Sequence, residues 1–107
     1  MELLPQSILK DVPALYATEQ VALAEKIVKA KLFIPWTNWT FFVIECDAEG
    51  KTAWGIVQGF EDEIGYFDIP ELAAIRGPGG LTVERDLHFT PSTVAELVER
   101  QRLAITL

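Results

Sequence analysis

Glu84, Asp86 and His88 come closer to a catalytic or metal-binding pattern than any other residues of this sequence. On an extended strand, residues two apart share a face, so these three side chains would lie on one side. Two carboxylates and an imidazole there could bind a divalent metal, or act as an acid and a base in hydrolysis. Any half-buried strand shows the same alternation, with its apolar residues in the core, here Leu81, Val83, Leu87 and Phe89. We therefore expect a solvated polar face with no metal, no cofactor and no catalytic residue, and a small metal-dependent hydrolase is the alternative.

The same alternation directs the side chain of Arg85 inward. A buried guanidinium needs a partner for its charge and for its hydrogen bonds. We expect a structural ion pair that ties the C-terminal segment to the sheet, and three residues could supply the carboxylate: Glu45, Glu61 or Glu71. The alternative is a binding role for Arg85 at the edge of a pocket.

Trp36, Asn38 and Trp39 lie at a predicted turn. Exposed tryptophans often mark binding surfaces, because a large apolar ring is costly to leave in water. A tryptophan in a β-turn also commonly folds back onto the sheet. Core packing and a contact surface both stay open as interpretations of this turn.

Glu61, Asp62 and Glu63 form a charged turn that is either a soluble loop or an acidic surface for a basic partner. The whole chain is acidic, with a formal net charge of -7 from 16 acidic and 9 basic residues. A negative field repels phosphate backbones, which argues against general nucleic-acid binding. Lys29 and Lys31, beside the aromatic residues of the next strand, leave single-strand nucleic-acid binding as a second alternative.

Cys46 is the only cysteine, which excludes an internal disulfide and a multi-cysteine zinc site. His88 is the only histidine, so histidine-rich metal sites are excluded as well. At the end of an apolar strand, Cys46 is expected to be inert and partly buried. No apolar stretch approaches the roughly 20 residues that a membrane helix needs, and we expect a cytoplasmic protein without membrane contact.

The elements that position these residues predict one α+β domain over residues 1–107. The connections between the central strands are too short for parallel pairing, which predicts a four-stranded antiparallel meander: about 27–34, 39–46, 52–60 and 64–67. Short helices and one extended segment surround it: helices at 5–12, 69–75 and 91–102, and the extended segment at 81–89. Residues 14–25 fit no single element.

The strand predicted at 39–46 is apolar on both faces, whereas a sheet solvated on one side would alternate more cleanly. One face carries Trp39, Phe41 and Val43, and the other carries Phe42 and Ile44. Either helices cover both faces, or one face meets a partner, such as a second copy of the chain.

Three segments stand out by their residues and by their order along the chain. They are Pro35-Trp36-Thr37-Asn38-Trp39-Thr40, then Gly65-Tyr66-Phe67 with Glu71-Leu72 and Arg76-Gly77-Pro78, then Glu84-Arg85-Asp86-Leu87-His88-Phe89. Together with Pro13-Ala14-Leu15-Tyr16, they make the chain resemble, from about Leu3 to Leu97, the bacterial family called domain of unknown function 2958. The resemblance implies a small bacterial protein of a kind common on plasmids, phages and other mobile elements, with no established activity to carry over. The stretch Thr18 to Lys26 departs from the family's usual residues.

These observations predict a non-enzymatic interaction or accessory protein of a plasmid, phage or other mobile element. Its partner would be an unidentified protein or a second copy of the chain. The binding surface would comprise the turn, the acidic loop and the C-terminal extended segment: Trp36, Asn38, Trp39, Glu61, Asp62, Glu63 and Arg85.

Overall fold

The computed structural model describes residues 1–107 and shows an α+β fold built around a five-stranded antiparallel sheet. The strand order across this sheet is β5-β4-β3-β2-β6, and a separate two-stranded sheet joins β1 to β7. The strands in chain order are Ile27–Val28 (β1), Ala30–Phe33 (β2), Thr40–Cys46 (β3), Thr52–Gln58 (β4), Asp62–Asp68 (β5), Glu84–Arg85 (β6) and Ser92–Thr93 (β7). The helices are Gln6–Leu9 (α1), Ile69–Ala74 (α2) and Val94–Gln101 (α3).

The predicted central strands pair in the predicted antiparallel order, and a fifth strand extends the sheet. The count of four was wrong because β6, in the segment predicted only as extended, pairs with β2. The predicted strand 27–34 divides at Lys29, since β1 turns to pair with β7 while β2 pairs with β3. The strand predicted at 64–67 extends to Asp62–Asp68, which gives it the same length as β4.

Side-chain caps determine where α2 and α3 begin. The Asp68 carboxylate accepts a 2.8 Å hydrogen bond from the backbone N–H of Glu71, as expected of an N-cap residue. Helix α3 begins at Val94 rather than at residue 91, because the two preceding residues form β7. Thr93 caps this helix reciprocally: its hydroxyl accepts from the Glu96 N–H at 3.1 Å, and the Glu96 carboxylate accepts from the Thr93 N–H at 3.0 Å.

The N-terminal quarter of the chain is less regular than predicted. Helix α1 covers four residues instead of the predicted 5–12, and backbone bonds of turn type continue it to Val12. The ambiguous residues 14–25 form turns and, at Leu23–Glu25, one turn of 3-10 helix. None of the helices is long and apolar enough to span a membrane.

Both faces of β3 are buried under other parts of the chain. On one face, residues of β3 pack with the N-terminal segment and α2, including Leu3, Leu4, Phe41, Val43 and Leu72. On the other face, Phe42 and Ile44 pack with α3 and the C-terminal segment, namely Val94, Leu97 and Leu103. The second apolar face is therefore covered internally and offers no surface for the self-association that we expected there.

A β-bulge places Glu45 on the face that carries α3. The pairing of β3 with β4 shifts between Val43, which faces Gly55, and Glu45, which faces Trp54. Ile44 is the extra residue, so it and Glu45 both point toward the α3 side. Gly55 allows this close approach, because a Cβ there would collide with the backbone of β3.

Candidate partner-binding groove

A row of directly opposed residues crosses one end of the sheet. Glu84 of β6 faces Phe33 of β2, Phe33 faces Thr40 of β3, and Thr40 faces Gln58 of β4. Directly opposed residues direct their side chains to the same face, here the face that also carries α3. Helix α3 contributes no residue to the lining at this end, so the row forms the floor of an open groove of about 730 Å³.

The turn between β2 and β3 forms one wall of the groove through Thr37, Asn38 and Trp39. The Thr37 hydroxyl donates to the Ile34 carbonyl at 3.0 Å and accepts from the Trp39 N–H at 3.0 Å. These two bonds hold the turn in one conformation and present Asn38, which is exposed, at its tip.

Residues 86–88 form a second wall as a turn, which interrupts the extended segment predicted at 81–89. The Asp86 carboxylate accepts a 2.9 Å hydrogen bond from the backbone N–H of His88, which closes the turn directly after β6. Leu87 is 65% exposed, so the prediction that it points into the core was wrong, as it was for the exposed Leu81. Val83 is buried as predicted.

Glu84, Asp86 and His88 all line the groove without forming a metal-binding cluster. His88 lies beyond the end of the strand, so the shared strand face on which the hydrolase alternative depended does not exist. The Asp86 carboxylate lies 3.8 Å from the Lys31 ammonium, and both side chains are largely buried. No feature of the groove favours the hydrolase alternative.

The Arg85 guanidinium is directed away from the groove floor and binds the N-terminal segment. Its Nη1 donates to the carbonyl oxygens of Glu2 and Leu3, each at 2.9 Å. No carboxylate lies within salt-bridge distance of it, including the three that were expected: Glu45, Glu61 and Glu71. Arg85 therefore fastens the N-terminal segment to β6 through backbone carbonyls, and the predicted ion pair was wrong.

Both tryptophans of the turn pack against glycines of neighbouring segments. A Cβ on Gly77 would lie 2.6 Å from the Trp36 ring, and a Cβ on Gly59 would lie 2.5 Å from the Trp39 ring. Trp39 also stacks on Phe41, with ring centroids 6.2 Å apart. Each ring is half-buried against the core, as the packing interpretation predicted, and Trp39 also lines the groove.

The acidic loop lies outside the groove. Glu61 and Glu63 are exposed, while the Asp62 carboxylate accepts a 2.8 Å hydrogen bond from the Ala104 N–H. Phe60, which precedes the loop, is 94% exposed and contacts Trp39 edge-on at 5.3 Å between ring centroids. Of the predicted binding surfaces, the structure thus brings together the turn and the residues around Arg85, and it leaves the acidic loop apart.

Lys29 and Lys31 do not form the shared platform that single-strand nucleic-acid binding would need. Lys31 lines the groove, whereas Lys29 lines a separate hollow beside Ile8. Phe42, which faces Lys31 across the strand pair, is fully buried, so no base can stack on its ring. No feature of this region favours the nucleic-acid alternative.

The groove lies within a stretch of sequence that matches a known family. Residues 5–103 match the family described as Protein of unknown function (DUF2958). The chain belongs to this family. No curated protein and no solved structure matches it. The matched residues include the floor and both walls of the groove, and they confirm the resemblance drawn from the sequence.

This DUF2958 member also has a buried polar network that the sequence analysis did not predict. Glu45 is 5% exposed and accepts hydrogen bonds from the N–H of Tyr16 at 2.8 Å, the N–H of Thr18 at 3.1 Å and the Thr18 hydroxyl. Lys26 is 8% exposed and donates to the Thr18 carbonyl and hydroxyl oxygens. The one signal in the sequence was a glutamate within an otherwise apolar strand.

Two competing effects determine the ionisation of Glu45. Burial alone would raise the pKa of its carboxyl, but the hydrogen bonds from Thr18 and Tyr16 and the charge of Lys26 bring this pKa below its ordinary value of 4.5. The carboxylate is therefore charged at neutral pH and holds residues 16–18 against the sheet. No buried polar side-chain atom lacks a hydrogen-bond partner, which indicates a structural role for the network.

Cys46 lies in the core, 2% exposed. Burial, and secondarily the charge of Asp47, raises the pKa of its thiol to about 11. The thiolate is the reactive form of cysteine, so this residue has the properties of an inert core thiol.

Proposed function

We propose that this DUF2958 protein is an accessory protein without catalytic activity that binds a partner protein through the groove. The observation that carries the proposal is the convergence of two segments, 37–39 and 86–88, which are far apart in the chain and line the same groove. Each segment has an exposed side chain in the lining of the groove, Asn38 in one and Leu87 in the other.

The chemistry of the groove suits a polypeptide. Phe33, Trp39 and Leu87 offer apolar surface, and Asn38 and Gln58 offer amide groups that both donate and accept hydrogen bonds. Protein interfaces combine apolar anchors with polar contacts of this kind. Leu87 is the most exposed apolar residue of the lining, and a partner that covers it would remove that surface from water.

The proposal extends to a plasmid, phage or other mobile element as the origin of the protein. This part rests on the sequence resemblance, because the family that it implies is common on such elements. A partner encoded by the element or by its bacterial host is consistent with it. The acidic loop, which was expected at the binding surface, lies outside the groove, whereas Arg85 lines the groove and its guanidinium binds the carbonyls of Glu2 and Leu3.

The test is site-specific photo-crosslinking from a nuclease-treated bacterial lysate. A crosslinking amino acid replaces Leu87 in one form of the protein and Leu81 in another, since Leu81 is also exposed but lies outside the groove. Trp36 and Trp39 are unsuitable positions, because both rings pack against glycines and their replacement would disturb the fold. A partner that uses the groove should crosslink at position 87 and not at position 81.

Competition with unlabelled variants identifies the surface. Wild type and Leu81→Glu should both compete for the crosslinked protein, while the matched variant Leu87→Glu should not. Circular dichroism and thermal unfolding establish that both variants are folded. If Leu87→Glu competes as well as wild type does, or if no protein crosslinks at position 87, the groove is not the binding surface.

A further inference from the structure

Strand β5 is the outer strand of the sheet opposite β6, and its backbone has a free edge. It pairs with β4 on one side only, over all seven of its residues, Asp62–Asp68. No hydrogen bond from a loop or from another strand reaches the backbone of its central residues. A free strand of this length is a template on which another extended chain can pair.

Two bonds that flank the ladder show which residues face outward. The Ile69 N–H donates to the Lys51 carbonyl at 2.8 Å, and the Gly59 N–H donates to the Glu61 carbonyl at 3.1 Å. Hydrogen-bonded pairs alternate with non-hydrogen-bonded pairs along an antiparallel ladder. Gly65 lies four residues from both Glu61 and Ile69, so it also belongs to a hydrogen-bonded pair and directs its backbone groups toward β4. The residues on either side of it direct their backbone groups away from the sheet.

Ile64 and Tyr66 are those outward-facing residues. Their N–H and C=O groups point to solvent, and their side chains are 39% and 53% exposed. The edge thus offers two donors and two acceptors, with an apolar side chain and an aromatic side chain beside them. Backbone pairing together with side-chain contacts at alternate residues is how an added strand is recognised.

The charge around this edge determines which chain it can accept. Five carboxylates flank it, Glu61, Asp62, Glu63, Asp68 and Glu71, and none forms a salt bridge with a lysine or arginine of the same chain. A second copy paired antiparallel about Gly65 would bring Asp62 opposite Asp68, and like charges in directly opposed positions are destabilising. A chain that carries lysine or arginine would instead meet complementary charge.

We propose that the free edge of β5 binds an extended, basic segment of a partner protein, which adds to the sheet as a sixth strand. The backbone groups of Ile64 and Tyr66 pair with the segment, and the flanking carboxylates select for its lysine and arginine side chains. This edge is separate from the groove, so the two proposals succeed or fail independently.

The direct test measures amide hydrogen exchange by NMR on the full chain. Exchange is compared without and with a synthetic peptide, Lys-Val-Arg-Val-Lys-Thr-Arg-Ile-Lys. In the free protein, the amides of Ile64 and Tyr66 should exchange quickly, and those of Gly65 and Phe67 slowly. The peptide should slow exchange at Ile64 and Tyr66. The same peptide with glutamate in place of lysine and arginine should bind about tenfold more weakly or not at all.

Three variants separate the contribution of backbone pairing from that of charge. Ile64→Pro removes an outward N–H without breaking a bond to β4, a position where an edge strand tolerates proline, and should weaken peptide binding about tenfold. Ile64→Thr, which keeps the N–H, should bind the peptide like wild type. The double variant Glu61→Lys/Glu63→Lys changes only exposed side chains and should also lose binding, whether or not Ile64→Pro folds.

Three results would overturn the proposal. The first is equal binding of the basic and acidic peptides. The second is unchanged exchange at Ile64 and Tyr66 with the basic peptide in excess. The third is concentration-dependent dimerisation of the wild type that Ile64→Pro abolishes, because the occupant of the edge would then be a second copy of the chain.

Discussion

The Glu45 carboxylate accepts a 2.8 Å hydrogen bond from the backbone N–H of Tyr16, a residue held in the left-handed region with φ of 70°. A non-glycine residue in this region costs roughly 1 kcal/mol and persists only where its surroundings require it. The bulge in β3 favours this conformation of Tyr16, because it directs the Glu45 carboxylate toward residues 16–18, which bind it. A local irregularity of the sheet thus determines the path of a segment for which the sequence predicted no conformation.

Replacing Glu45 tests this network through the pH dependence of stability. Its pKa is lowered in the folded protein, so its contribution is complete above the ordinary value of 4.5 and is lost as the pH falls through the folded-state pKa. At about pH 7, Glu45→Gln should lower the free energy of unfolding by about 2 kcal/mol, since charged hydrogen bonds are lost. The difference from wild type, measured by urea unfolding, should shrink in acid. A difference that stays constant with pH would contradict the role of the charge, and the exposed Glu99→Gln is the control.

Adding a methyl group at Gly77 tests the packing of the tryptophan turn. A Cβ at this position would lie 2.6 Å from the Trp36 ring, so Gly77→Ala should displace the ring and lower the free energy of unfolding by about 1–3 kcal/mol. Gly65→Ala is the matched control, because nothing lies within 4 Å of its added Cβ. Thermal unfolding and tryptophan fluorescence measure the effect, and equal stability of the two variants would show that Trp36 is loosely packed.

Removing the guanidinium of Arg85 tests its structural role. Arg85→Met retains an aliphatic side chain but loses the two bonds to the Glu2 and Leu3 carbonyls, which should lower the free energy of unfolding by about 1–2 kcal/mol. Hydrogen exchange should accelerate at residues 3 and 4, whose side chains are buried in the core. An unchanged stability and exchange rate would mean that the N-terminal segment is held by apolar packing alone.

Replacing His88 separates an interaction surface from a metal site. The imidazole is exposed on a turn, and the structure contains no group of three His, Cys, Asp or Glu side chains that could hold a metal ion. His88→Ala should therefore change the free energy of unfolding by less than about 0.5 kcal/mol. Elemental analysis of the purified wild type should find no stoichiometric metal. A bound metal that His88→Ala removes would revive the hydrolase alternative.

Local patterns predicted the main elements because they depend on residues close in sequence. The aromatic and β-branched run of β3, the short connections of the meander and the Asp68 cap of α2 were all recognisable in this way. The start of α3 was misplaced, because Ser92–Thr93 pairs with β1, more than sixty positions earlier in the chain. No local pattern carries such a long-range pairing.

In the candidate site, too, local patterns identified residues, and long-range contacts determined their arrangement. Two residues of each groove wall were identified as candidates from the sequence, Asn38 and Trp39 in one and Asp86 and His88 in the other, whereas the exposed Leu87 was predicted to lie in the core. That both segments line one groove follows from the pairing of β6 with β2, which the sequence did not indicate. The partner of Arg85 was wrong for a related reason, since the nearest acceptors in space are carbonyls of the N-terminal segment.

By itself, the sequence determined the α+β class, the antiparallel centre, the family and the residues worth testing. Alternation and turn residues depend on a few neighbouring positions, and composition depends on the sequence as a whole, so none of them requires knowledge of tertiary contacts. Only the tertiary structure decided which polar side chains satisfy one another, which apolar face is covered and which strand edge stays free. Those outcomes depend on contacts between segments that are distant in the sequence. The buried Glu45 accepts a hydrogen bond from Tyr16, and no strand of the same chain pairs with the outer edge of β5.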